Sequence, residues 1–248
     1  MRVLKPYLVL LLTVYLLVLV ATAPATLFEK ILTAQPGLTL EHLAGSLWHG
    51  TAEKLSMSTR VGTVQISALQ WDMQWRYLFR GDIALKFEMA DAVGSLTVAR
   101  GFGGFRLVQV DLALPAEELA QILPQLGLWQ PGGEVQFKTE EFVLAATAPS
   151  AALLIWRNAT LNLSPLQPLG DYRLQLRKET NGTINAQLQT LAGKLQLAGA
   201  GAYSKQAGLQ FNGSASARRT DISELQALLA LLGKDRGDGV HDFSLLLP

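Results

Sequence analysis

The sequence predicts a mainly β protein: one N-terminal transmembrane helix followed by a duplicated antiparallel β-sheet domain with one short helix per repeat. Three observations carry this reading. An uncharged apolar run opens the chain, period-two alternation of apolar and polar residues dominates the remainder, and two short helical patterns recur in matching contexts.

The apolar run comes first. From Pro6 to Phe28 no residue is charged, and Tyr7 to Val20 is almost wholly Leu, Val and Tyr. Roughly 20 apolar residues at 1.5 Å each span a hydrocarbon core of about 30 Å. Arg2 and Lys5 precede the run and Glu29 is the first charge after it. The positive-inside rule then puts the N-terminus in the cytoplasm and everything beyond about Pro24 on the other side. A cleaved signal peptide is the rival reading, because Ala21-Thr22-Ala23 has the small residues of a cleavage site. Pro24 stands immediately after that site and disfavours cleavage, so the uncleaved anchor is the expectation. The rest of the chain is exported on both readings.

Beyond the anchor, alternate side chains sort onto two faces. Leu69, Trp71, Met73 and Trp75 alternate with Gln70, Asp72 and Gln74, and Ile83, Leu85, Phe87 and Met89 with Asp82, Ala84, Lys86 and Glu88. Tyr172, Leu174 and Leu176 repeat the pattern, as do Ile184, Ala186 and Leu188. Such strands belong to antiparallel sheets with one face packed and one wet. Asn181-Gly182 marks a hairpin between two of them.

Two segments switch to helical spacing. Leu119, Ile122, Leu123 and Leu126 precede Gly127, and Leu225, Leu228, Leu229 and Leu232 precede Gly233. Pro115 suits the start of the first helix, while Pro124 shortens its end. Asp221 and Glu224 resemble a capping box for the second, and both glycines suit left-handed C-caps. The two helical patterns match position for position. Upstream, Gly81-Asp82-Ile83-x-Leu85 resembles Gly170-Asp171-Tyr172-x-Leu174, and Gly94-Ser95-Leu96-x-Val98 resembles Gly193-Lys194-Leu195-x-Leu197. The expected organisation is therefore an anchor with its cytoplasmic tip over 1–28, a first β-rich repeat over 29–147 and a second over 148–248. The joint falls between Ala145 and Leu153, near Pro149-Ser150.

Composition narrows the chemistry. The 248 residues carry a formal net charge of +1 and include no cysteine. The balanced charge, with no long basic run, argues against a nucleic-acid partner. Without cysteine there are no disulfides, thiolate metal sites, Fe–S clusters or thiol nucleophiles. His42, His49 and His241 share no ligand spacing. Gly101-Phe102-Gly103-Gly104 sits between alternating segments and reads as a hairpin turn rather than a dinucleotide loop. Asp235-Arg236-Gly237-Asp238-Gly239 lacks the spaced ligands and closing Glu of a calcium loop and reads as a polar turn. Asn158, Asn181 and Asn212 head glycosylation-like triplets but read as strand-end and turn residues. Trp71 and Trp75, expected on one strand face, read as core, with an apolar groove for lipid or a partner helix as the alternative. The expectation is no catalytic, cofactor-binding or metal residue, no cofactor, no small-molecule substrate and no enzyme.

The basic-then-apolar N-terminus is followed by Gly45-Ser46-Leu47-Trp48-x-Gly50, Leu69-Gln70-Trp71-x-Met73 and Pro168-Leu169-Gly170-x-Tyr172-x-Leu174. Gly193-x-Leu195-x-Leu197-x-Gly199, Phe211-x-Gly213 and the final Leu-rich helix with Gly233 complete the series. In this order they resemble a known family, the type II secretion system protein N of Gram-negative bacteria. The resemblance implies a single-pass accessory protein of the inner membrane, with its N-terminus cytoplasmic and its bulk periplasmic. It would support export of folded proteins across the outer membrane through contacts with other inner-membrane secretion subunits. The β-rich repeats also look similar to AsmA-like membrane-anchored proteins, which makes a periplasmic lipid-binding module the alternative.

Overall fold

The computed structural model describes residues 4–27, 37–58, 63–90, 92–122, 127–143, 148–218 and 220–247. Helix α1 (Leu4–Ala21) is followed by strands β1 (Leu38–Gly45), β2 (His49–Ser58) and β3 (Thr63–Met73), then a 3-10 helix (Trp75–Arg80). β4 (Ile83–Met89), β5 (Val93–Gly101) and β6 (Gly104–Pro115) lead to α2 (Ala116–Ile122) and β7 (Pro131–Val143). β8 (Ser150–Leu161), β9 (Gly170–Lys178), β10 (Ile184–Gly193), β11 (Leu195–Ser204) and β12 (Gly208–Ala217) precede α3 (Ile222–Leu232). The short β13 (Lys234–Asp235) and β14 (Val240–Leu247) end the described chain.

All 14 strands among the described residues join one antiparallel sheet, in chain order except that β14 lies between β12 and β13. β7 and β8, on either side of the expected joint, pair directly, so both halves share one continuous ladder. Residues 144–147 of the joint lie outside the described residues.

Register sorts the side chains. Phe137 stands opposite Leu154, Leu154 opposite Leu174, Leu174 opposite Leu188, Leu188 opposite Gly199, Gly199 opposite Gly213 and Gly213 opposite Phe243. Directly opposed residues point to the same face, so one apolar row crosses the sheet. Trp71, Phe87 and Leu96 form a similar row at the other end. α2 packs against β3, β6 and β7. Three strands separate β3 from β7, and strands lie about 4.8 Å apart, so a seven-residue helix reaches both only because the sheet curls round it. α3 closes the second half. Leu225, Leu228 and Leu229 are buried against Leu169, Leu195 and Ala215, with Trp129 from the loop after α2 packed beside them. Between the two helices Phe137, Leu154, Leu174 and Leu188 remain only half-buried.

The opposite face is not uniformly wet. Ala84 and Ala99 are fully buried beneath Tyr77 of the 3-10 helix, and buried Asp82 is ion-paired there with Arg106. α1 is different again. Its described side chains from Leu10 to Leu16 are exposed and, Thr13 aside, are Leu, Val and Tyr. No helix among the described residues is long and apolar enough to cross a membrane.

Three expectations need correction. Trp75 does not share a strand face with Trp71: the chain leaves β3 at Gln74 (φ −92°, ψ 86°) and Trp75 opens the 3-10 helix, half-exposed, while Trp71 is buried. Asp221 makes no side-chain capping bond; its carbonyl accepts from the Leu225 N–H at 3.1 Å instead. Gly233 is extended (φ −174°), not left-handed, because the chain turns there directly into β13. Of the first helical pattern, Leu119 and Ile122 lie on α2, and Leu123 to Leu126 lie outside the described residues.

Tyr172 anchors the second half. Its hydroxyl donates to the Leu195 carbonyl at 3.1 Å and its ring packs on Trp156. Burial, and then the charge on Asp171, hold its phenol above the ordinary tyrosine range. A raised acid pKa gives stability that is complete below the unfolded value of about 10 and is lost as pH rises past it. The stability read by urea unfolding should therefore start to fall through Tyr172 above about pH 10, and Tyr172→Phe should flatten that slope. In the same assay Leu228→Ala, which empties the centre of the α3 contact, should cost about 2–5 kcal/mol.

Candidate functional site

The place where the chain passes from helix to sheet is built from the Gly45–Gly50 motif. Gly45 lies at φ +93°, and a Cβ there would stand 2.5 Å from the His49 carbonyl oxygen, so the tight β1–β2 turn needs glycine. Ser46 closes that turn. Its Oγ accepts from the N–H of Trp48 (3.3 Å) and of His49 (3.1 Å), and its own N–H donates to the His49 carbonyl (2.8 Å). Gly50 makes room for an aromatic ring: a Cβ on it would lie 2.5 Å from Cζ2 of Trp71. That indole donates to the Leu47 carbonyl at 3.2 Å, locking β3 under the turn.

The turn so fixed receives the end of α1. Trp48 Nε1 donates at 2.7 Å to the Val20 carbonyl, which lies in the last turn of α1 and also accepts from the Ala23 N–H at 3.2 Å. The Leu47 N–H donates to the Ala23 carbonyl (2.8 Å) and the Ala25 N–H to the Gly45 carbonyl (3.1 Å). Pro24 bridges Ser46, and Ala23 and Ala25 are buried. Trp48 also packs on Trp75, ring centres 5.7 Å apart. Ala23 and Ala25 are thus small for a structural reason, since larger side chains at these two buried positions would not fit against the hairpin, while Ala21, Thr22 and Pro24 are exposed. Arrangement and chemistry here are those of a mechanical joint, made of backbone hydrogen bonds and two indoles.

The other residues singled out by sequence are scattered. His42 faces Glu53 at 3.2 Å on the surface, His49 pairs with Asp72, and His241 donates to the Gly233 carbonyl at 3.2 Å. No group of three or more potential metal ligands occurs among the described residues. In the Asp235–Gly239 turn the Asp235 carboxylate accepts from the Gly237 N–H at 2.8 Å and Asp238 from the Val240 N–H at 3.0 Å, so both serve their own backbone. Gly101–Gly104 and Asn181-Gly182 are hairpin turns. Gln175 and Gln187 stand opposite each other on the polar face, beside a depression of about 660 Å³.

What the sequence did not reveal is the sheet edge. β13 pairs only with His241 and Asp242 of β14, so Phe243 to Leu246 have no outer neighbour among the described residues. Leu246 is 71% exposed there. Such an edge offers unpaired backbone groups to another chain. At the opposite edge His42 (φ +53°) bends β1 and Pro24 sits beside its end.

Two substitutions separate the parts of the joint. Trp48→Phe keeps a ring but drops the bond to Val20; it should cost about 1 kcal/mol and speed protease cleavage around 22–25. Gly50→Ala drives a methyl into Trp71 and should cost about 1–3 kcal/mol. Denaturant midpoints and limited proteolysis read both, and a neutral Gly50→Ala would contradict the packing described.

Comparison with known proteins bears on the same residues. The family model described as type II secretion system (T2SS), protein N matches residues 36–244, which takes in the β1–β2 turn and almost the whole sheet. The type II secretion system protein N of Pectobacterium carotovorum subsp. carotovorum is 25% identical over 236 residues, covering 92% of this chain and 90% of that protein. No solved structure matches. With a family model running over both halves of the sheet, the chain belongs to the type II secretion system protein N family.

Proposed function

We propose that this protein is a non-enzymatic accessory component of the type II secretion system, anchored in the inner membrane by α1 with the sheet in the periplasm. In this reading it supports export of folded proteins by binding other inner-membrane secretion subunits. The observation that carries the reading is the family match over residues 36–244. It favours the secretion role over a periplasmic lipid-binding module. The two β-rich halves, 29–147 and 148–248, are taken as repeats that both contribute to one surface.

Several features support the anchor. Among the described residues α1 by itself is not long and apolar enough to span. Its 18 residues rise about 27 Å against a hydrocarbon core of about 30 Å, but the uncharged run continues in the sequence to Phe28. Bilayer thinning covers a mismatch of that size at a fraction of a kcal/mol per Å. A helix apolar on all sides is a membrane span or a core helix, and its described side chains are exposed. Arg2 and Lys5 favour a cytoplasmic N-terminus. The bonds that Gly45, Leu47 and Trp48 make to residues 20–25 favour retention of the segment over cleavage after Ala23. The open β14 edge supports partner binding by strand addition.

In-cell crosslinking tests the role. A photoreactive residue at Gln175, Gln187 or Ser244, in cells expressing a secretion operon, should yield adducts with other secretion subunits. Position 244 reads the free edge, positions 175 and 187 the polar face. Adducts only to phospholipid, or unchanged secretion after deletion of the protein, would overturn the role.

A further inference from the structure

Register places the end of α1 and several exposed aromatic residues at one end of the sheet. Gly45 is opposite Gly50, His49 opposite Asp72, Met73 opposite Leu85, Ile83 opposite Arg100, and Gly101 opposite Gly104. The β1–β2 turn, the 3-10 helix and the β5–β6 turn therefore share that end with Val20, which Trp48 holds. Trp48 joins Val20 to Trp75, and Gly81, just past the 3-10 helix, lies near the Phe102 ring, which a Cβ on it would approach to 3.8 Å.

The exposure of this rim is unlike that of an ordinary turn. Phe79 is 93% exposed, Phe102 is fully exposed at 106%, and Trp75 is 56% exposed. Leu78 lies among them and Arg80 on the same 3-10 helix is exposed, whereas the Arg76 guanidinium lies over the Tyr77 ring and donates to Gln109. The nearby acids are engaged: Asp72 with His49, and Asp82 and Glu141 with Arg106. Exposed aromatics beside arginines are what a bilayer's interface accommodates, rings at the headgroup level and guanidinium groups on phosphates. A free aqueous surface gives fully exposed Phe residues no such partner.

We infer that this rim rests on the membrane surface beside α1, with Phe79 and Phe102 inserted among phospholipid headgroups and Arg80 against their phosphates. The inference rests on the proposed anchoring by α1. With the joint at Val20–Ala25 rigid, one helix and a two-pronged rim would fix the tilt of the sheet over the bilayer, which a single helix alone does not.

The cysteine-free chain makes the test direct. Single variants Leu12→Cys, Phe79→Cys, Phe102→Cys and Gln226→Cys of the full-length protein are labelled with an environment-sensitive fluorophore. They are reconstituted in phosphatidylethanolamine–phosphatidylglycerol nanodiscs with and without quenching lipids. Deep-chain quenchers read position 12, in the middle of α1, headgroup and shallow-chain quenchers read 79 and 102, and both are applied at 226. The expected result is loss of most fluorescence at 12, 79 and 102 and none at 226, which lies on α3 at the far end of the sheet. Loss at 12 with bright labels at 79 and 102 overturns the rim contact and leaves the anchor standing. A bright label at 12 overturns the anchor reading and the rim with it. Quenching at 226 as well would mean adsorption without orientation and would equally overturn it.

Discussion

An aromatic ring that lies flat across the neighbouring strand needs a position there without a Cβ, and this sheet is organised round that requirement. Trp71 lies over Gly50 in the first half; Phe211 lies over Gly199 and Gly201, and Phe243 over Gly213, in the second. Each pairing sits one strand apart, so each fixes a register as well as filling space. A slip of one residue would move every apolar side chain to the other face. It would also drive a Cβ into a ring. Phe211 and Phe243 then stack on each other, ring centres 6.3 Å apart, carrying the packing from β12 to β14.

The same nesting makes the first hairpin a firm receptor for α1. Trp71 seated on Gly50 holds Leu47, and Leu47 and Trp48 in turn hold residues 20–23. Packing within the sheet is thus linked by four residues to the orientation of an apolar helix outside it. At the other end of the chain the Leu225–Leu228–Leu229 stripe of α3 seals the core, while β14 beyond Asp242 is left without an outer neighbour among the described residues. A firm joint at one end and an open edge at the other are what the proposed accessory role calls for.

Much of this was legible in the sequence, for local reasons. Alternation at 83–89, 172–176 and 184–188 marks strands because period two is a property of the strand itself. Asn181-Gly182 marks a hairpin because glycine tolerates its φ of +83°. The leucines of α3 mark a buried stripe. Other features depend on partners far along the chain. Gly50 announces a glycine but not the Trp71 above it, and Trp48 gives no sign of Val20, 28 residues away. Alternation carried Trp75 onto the strand because nothing in Gln74-Trp75 signals the break. Bends at Ala68 (φ +46°), Gln109 (φ +51°) and Asn158 (φ +48°) are likewise silent, since none is a glycine. Asn158 shows the reason: its N–H is held by the Asp171 carboxylate at 2.7 Å, a bond made across strands.

The firmness of the joint is the claim on which the rest turns, and amide hydrogen exchange of the full-length protein in nanodiscs tests it most directly. If helix and sheet are locked, the Leu47 and Ala25 amides will exchange as slowly as the β2–β3 ladder and far more slowly than the exposed turn at Lys205–Ala207. Exchange at Leu47 and Ala25 as fast as in that turn would show a hinge where a rigid joint is described, and would contradict the account.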